Sequence, residues 1–317
     1  SQATDYGSAI LELVVLGENP YNYKGVNYVQ KLIDMGGGGY ANNIWYLLAV
    51  KAAGAEQSVI DSMSAKVKSQ VLNSAYDLDI NGWNLASTAP DLTPDELMFV
   101  VKYLQEAQII SGELAGAFDH PMHGSNSMTQ GCLLSGLAGA SMNIENLFSL
   151  TTTDDNRMVN ALTVVRDAYQ TEDGQFWYTL GKFPSFNKDV IIALGDIANG
   201  ESFYQRYNLD VDKVKELIAK AEALDTSKAD AAAVASMNDA VTSLKNSLGG
   251  ADNGIAYGLG EQYYALQDAM YAVDPSLRKG YWICTIAEGD SIKQINETIK
   301  NLSPDSATIP DYKNAAD

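Results

Sequence analysis

Several short stretches of this 317-residue chain carry residue types and spacings that could do chemistry. Asp77-Leu-Asp79-Ile-Asn81-Gly82 matches the first half of a calcium-binding loop, whose alternate side chains supply oxygen ligands. Position twelve of such a loop falls on Thr88, which lacks the bidentate carboxylate that closes the site, so Asp79 reads better as a helix N-cap. Asp119-His120-Pro-Met-His123 sets two imidazoles three residues apart beside a carboxylate. That arrangement could bind a metal, serve as acid and base, contact a ligand, or be an irregular polar loop. His120 and His123 are the only histidines, which makes a zinc catalytic site a poor expectation. The chain has no Gly-x-Ser-x-Gly elbow, no phosphate-binding glycine loop and no His-Glu-x-x-His.

The elements that must position these residues recur along the chain. A segment in which small residues and leucine alternate at helical spacing starts at Tyr6, Tyr40, Asp79, Ser127, Asn187 and Gly260. These segments are apolar or small on nearly every face, as in helices buried all round. Between them lie amphipathic stretches, Val26 to Met35, Gln57 to Leu72, Pro94 to Ile110 and Arg157 to Tyr169. The third opens with Thr93, Pro94 and Glu96 in the order of a capping box with proline at the first helical position. Buried helices alternating with amphipathic ones describe an inner wall inside an outer shell, with the small residues letting the two layers approach. The predicted fold is therefore all-α, an α/α toroid of about six inner and six outer helices. Gly36-Gly-Gly-Gly39 and Glu172-Asp-Gly174 read as turns.

Residues 209–248 differ in composition, being rich in Ala, Lys and Asp, and read as an inserted helical hairpin. The toroid then comprises residues 1–208 and 249–289; residues 290–317 turn polar, and Ile292 to Leu302 resembles the start of a C-terminal helical spacer.

Lys plus Arg number 21 against 40 Asp plus Glu, a formal net charge of -19. Such a surface repels phosphates, so nucleic acid and anionic membrane are poor partners. No apolar run reaches the ~18 residues of a membrane span. Cys132 and Cys284 sit in apolar surroundings and read as buried free thiols, with a disulfide left open. The chain opens at Ser1 without a charged-then-apolar leader, which fits a cytoplasmic protein or one whose signal peptide has been removed.

In order and number, the repeated segments resemble the terpenoid cyclase/protein prenyltransferase-like toroids, in the branch shared with intrinsic factor and transcobalamin. The segments that carry the likeness are Asn19-Pro-Tyr-Asn-Tyr-Lys-Gly-Val-Asn-Tyr-Val29, Asp79-Ile-Asn-Gly-Trp-Asn-Leu-Ala, Thr171-Glu-Asp-Gly-Gln-Phe and Gly260-Glu-Gln-Tyr-Tyr-Ala-Leu. The hairpin stretch Val211 to Asp225 resembles the FIVAR-type helical modules of long cell-wall proteins. These likenesses imply an extracellular, wall-associated setting within a longer bacterial chain. The superfamily's chemistries each lack a residue here. A cyclase acid cluster would need more carboxyls than Asp77 and Asp79 provide. Thr129 stands where the prenyltransferase zinc histidine would be, and Leu259 where a thioester cysteine would be, in Gly258-Leu-Gly-Glu-Gln262.

What remains is a binding surface at the starts of the inner helices, where aromatic walls and a few polar groups could hold a ligand. The candidate contacts are Tyr40, Asn43 and Trp45; Asp79 and Trp83; His120, His123 and Asn126; Trp177 and Tyr178; and Tyr257, Glu261 and Tyr263. Phe186, Asn42, Asn81 and Asn187 lie at comparable places. The function expected is a non-catalytic extracellular binding or adhesion module for a small molecule, glycan or peptide. No cofactor is expected, a corrinoid being implied by the resemblance alone. The competing expectation is a diverged cyclase- or prenyltransferase-like enzyme.

Overall fold

The computed structural model describes residues 2–36, 40–73, 77–185, 187–249, 254 and 256–278. The side chains of Tyr40 and Asn42, and all of Phe186, Cys284 and residues 290–317, lie outside that set. The chain is mostly helical, with a few short strands. Five of the small-residue segments form α1 (Gln2–Leu16), α3 (Tyr40–Ala52), α5 (Leu78–Thr88), α7 (Ser127–Gly139) and α9 (Lys188–Asn199). Three amphipathic stretches form α2 (Tyr28–Asp34), α4 (Gln57–Val71) and α6 (Pro94–Glu106) between them.

Side-chain caps start these helices by satisfying backbone N–H groups that have no partner inside the helix. Asn27 accepts from Gln30 N at 2.8 Å, Asn126 from Thr129 N at 2.9 Å and Asn187 from Asp189 N at 3.0 Å. The capping box of α6 is complete: Thr93 N donates to Glu96 at 2.8 Å, and Glu96 N donates to the Thr93 hydroxyl at 3.3 Å. Thr93→Ala should lower stability by about 1 kcal/mol in urea denaturation, with an unchanged m-value. The cap of α5 is Asp77, not Asp79: its Oδ1 accepts from Asp79 N at 3.0 Å and from Ile80 N at 3.2 Å. Asp79 is thereby carried into the first helical turn and buried.

The helices α1, α3, α5, α7 and α9 lie side by side in chain order, and α3, α5, α7 and α9 run parallel. Trp45 of α3 meets Trp83 of α5, and six residues further on Lys51 Nζ donates to Ser87 O at 2.7 Å. Gly82 of α5 faces Cys132 of α7, and Gly139 lies against Ala86. Gly131 faces Asp189 of α9, and the Ser135 hydroxyl donates to Asp196. A β-carbon on Gly82 would stand 2.3 Å from the Cys132 carbonyl carbon, and one on Gly131 would stand 2.5 Å from that of Asp189. The small residues thus let neighbouring helices of this row touch backbone to backbone.

Arg157 to Tyr169 is not an outer helix. Met158–Asn160 forms strand β2, paired antiparallel with β1 (Ser149–Thr151), and Val165–Tyr169 is a single π-helical turn. Asn160 Oδ1 accepts from Leu162 N at 2.8 Å and from Thr163 N at 2.9 Å, while the Thr163 hydroxyl accepts from Asn160 N at 2.9 Å. These local bonds offer the backbone a turn in place of a helix. Ile144–Leu147 forms the short α8. A second hairpin, β3 (Phe176–Thr179) with β4 (Lys182–Ser185), follows the turn at Gly174. The helical fold thus carries two small two-stranded sheets that an all-α expectation omits.

The inserted pair appears as α10 (Val211–Glu222) and α11 (Ala231–Leu248). Helix α12 (Gly260–Val273), expected as the last inner helix, instead buries Leu266, Met270 and Val273 in one core with Leu217, Met237 and Leu244 of that pair. Its start abuts the C-terminal end of α3, where Gly260 N donates to Gly54 O at 3.0 Å and the Tyr264 hydroxyl to Ala52 O at 3.2 Å.

Candidate functional site

Two places stand out, and the first gathers several of the expected site residues. The first is the N-terminal end of α5, α7 and α9. Here Asp77 Oδ1 lies 3.4 Å from His120 Nε2, and the His120 and His123 rings stack with centroids 4.7 Å apart. His120 is buried and His123 exposed. Asp79 and Asp189 are 7% and 6% exposed, and each has a carboxylate oxygen without a hydrogen-bond partner. Burial raises the pKa of both carboxyls; Asp77 adds to the rise at Asp79, and Asp79 to that at Asp189. Burial likewise pushes the Cys132 thiol well up, so it stays protonated and unreactive.

Asp77, Asp79 and His120 form the one triad among the described residues whose potential metal-ligating atoms lie within 4.8 Å of one another. The hydrogen bonds of His120 oppose that use. Its Nδ1 accepts from Met122 N at 3.1 Å and from His123 N at 3.3 Å. The neutral ring therefore carries its proton on Nε2, facing Asp77, where a metal would need a lone pair. The contact ties the 119–124 loop to the start of α5. Asn126 and Asn187 are similarly engaged: both cap helices, and Asn187 Nδ2 also donates to Ser127 Oγ at 2.7 Å.

The second place is an apolar cleft of about 400 Å³ between α1, α3 and the turn that follows α9. Leu11, Val15 and Leu16 line it from α1, Trp45 and Leu48 from α3, and Phe203, Tyr204 and Tyr207 from the turn; Glu12, also of the lining, is exposed. The sequence dictates that turn. Gly200 ends α9 in the left-handed conformation (φ 67°), and Asp196 Oδ1 accepts from Phe203 N at 2.7 Å. Gln205 Nε2 then donates to Ala86 O at 2.5 Å and Gly139 O at 3.2 Å, clamping the turn onto the ends of α5 and α7. Phe203 meets Tyr204 and Tyr207 edge-on, with centroids 5.7 and 5.5 Å apart, and Trp45 meets Trp83 at 5.6 Å. Burial raises the Tyr204 hydroxyl pKa, so it remains a neutral donor.

The remaining expected contacts are dispersed. Asn43 is buried near the start of α3. Trp177 is half-buried against the core beside α7, and Tyr178 is exposed. Tyr257, Glu261 and Tyr263 sit around the start of α12, at the C-terminal end of α3, and so at the opposite end of the parallel helices from Asp79 and His120. The twelve candidates whose side chains are described do not form one mouth. Among the described residues only Trp45 of the candidates lines the cleft, with Trp83 against it. Phe203, Tyr204 and Tyr207 follow a helix stop without periodicity, and three aromatics in five residues are their only signal in the sequence.

Comparison with protein-family models, curated proteins and solved structures finds no match. Among the described residues no helix is long and apolar enough to cross a membrane.

Proposed function

We propose that the chain is a non-catalytic binding module whose ligand lies in the cleft between α1, α3 and the 203–207 turn. The helices of that row, with α2, α4 and α6 between them, are consistent with an α/α toroid, and the cleft falls where α1 meets the chain leaving α9. The extracellular, cell-surface setting within a larger bacterial protein rests on the sequence resemblance. The observation that carries the reading is the cleft itself, which has the volume of a small-molecule site and ring-bearing walls. Those walls suit an aromatic or aliphatic group, such as a peptide side chain, better than a glycan that needs many polar partners.

The neutral apolar probe N-phenyl-1-naphthylamine should bind saturably at one site. Phe203→Ala should weaken it about tenfold, a loss of about 1.4 kcal/mol. Binding unaffected by Phe203→Ala would contradict the assignment. A corrinoid in this cleft would shift the visible spectrum of added cobalamin, and an unchanged spectrum would remove it.

The competing reading, a diverged cyclase- or prenyltransferase-like enzyme, draws on the buried Asp79 carboxyl, whose raised pKa suits a proton donor. Product formation from polyprenyl diphosphates that is lost in Asp79→Asn would favour it.

A further inference from the structure

We propose that the cleft recognises a peptide segment in which a bulky aromatic residue is flanked by lysine or arginine; this rests on the binding-module reading above. The walls decide the aromatic half. Eight of the nine lining residues are aliphatic or aromatic, so the group that enters must be apolar. Glu12 decides the cationic half. Glu12 is the only charged residue of the lining, it is exposed, and among the described residues it has no ion-pair partner. The basic residue nearest along the turn, Arg206, is held by the buried Asp196, with Nη2 3.6 Å from Oδ1. Helix α1 carries Asp5 and Glu12 and no Lys or Arg, and its last residue, Leu16, lines the cleft. The negative end of the helix dipole therefore lies on the same side as Glu12. A net charge of -19 adds a long-range field of the same sign, which draws cations in and turns phosphorylated or acidic ligands away. The cleft is open along one side, so residues flanking an inserted ring could remain in solvent beside Glu12.

The test is competition for the naphthylamine probe on the full chain by acetyl-Lys-Trp-Lys-amide, acetyl-Glu-Trp-Glu-amide and acetyl-Lys-Ala-Lys-amide. The first should displace the probe about fivefold more effectively than the second at low salt, with the preference shrinking as salt rises. The alanine peptide should not compete. Glu12→Lys should abolish or invert the preference, whereas Glu172→Lys, an equal charge change at an exposed site outside the cleft, should largely preserve it. A preference altered equally by the two variants would mean that overall charge alone acts, and would overturn the proposal. Equal competition by the lysine and glutamate peptides would also overturn it while leaving the cleft as a binding site. Failure of the probe itself to bind would instead remove the underlying binding-module reading.

Discussion

Replacing Gly82 by alanine should lower the stability of this protein by about 3 kcal/mol, the upper end of what overpacking costs. The added β-carbon would stand 2.3 Å from the Cys132 carbonyl carbon, 2.4 Å from its oxygen and 2.7 Å from Leu133 N. All three are backbone atoms of α7, so no side chain can rotate out of the way. Gly136 of α7 makes the reciprocal approach, its position for a β-carbon being 2.5 Å from Gly82 O. Helix α7 also touches α9 through Gly131, so displacing it from α5 disturbs both contacts. Gly195 of α9 is the control: a β-carbon there meets nothing within 4 Å. Gly195→Ala should therefore stabilise by about 0.5–1 kcal/mol, through helix propensity and reduced unfolded-state freedom. Denaturant midpoints of the two variants should move in opposite directions. Similar shifts in both would contradict the backbone-contact account of α5, α7 and α9.

The second large effect is expected at Asp79. In the folded chain burial raises its carboxyl pKa, whereas the unfolded chain keeps an ordinary value of about 3.9. Between those two values the folded state holds the proton more tightly than the unfolded state. Asp79 therefore makes stability fall as pH rises through that window, and above it the ionised, incompletely hydrogen-bonded carboxylate carries its full cost. Asp79→Asn removes the charge while keeping the shape. At pH 7 the variant should be more stable by about 1–3 kcal/mol, the cost of a buried unsatisfied polar group. The advantage should shrink as pH falls toward 4, where the native side chain is protonated. Asp189→Asn should behave in the same way, since burial shifts its carboxyl in the same direction. The two effects should not add, because the Asp79 carboxylate raises the cost of ionising Asp189. Urea unfolding of the native chain and both variants across pH 4–7 measures this directly. A destabilised Asp79→Asn at pH 7 would mean that the carboxylate has a partner worth more than its burial cost.

Much of the helical pattern was legible because it rests on local chemistry. Thr93-Pro94-Asp95-Glu96 can hardly do other than start a helix, and the small-residue segments could only be buried. The errors arise where a competing local bond or a tertiary contact decides. Asn160 and Thr163 divert a stretch with helical amphipathicity into a turn, and Asp77 takes the cap two residues before Asp79. Asn43, Asn126 and Asn187 are all buried, and the last two also start helices. Helix α12 has the composition of an inner helix, but it completes the core of α10 and α11, and this moved Tyr257, Glu261 and Tyr263 away from the other candidates. The cleft was hidden because its far side depends on Gln205 reaching carbonyls that lie 119 and 66 residues away in the chain.

Hydrogen exchange of the full chain, with and without saturating naphthylamine probe, tests the location of the binding site most directly. The cleft account predicts slower exchange on probe binding in the amides of residues 11–16 and 203–207, with residues 77–81 and 120–129 unchanged. Protection concentrated at residues 77–81 and 120–129, with none at 203–207, would contradict it and return the site to the helix starts.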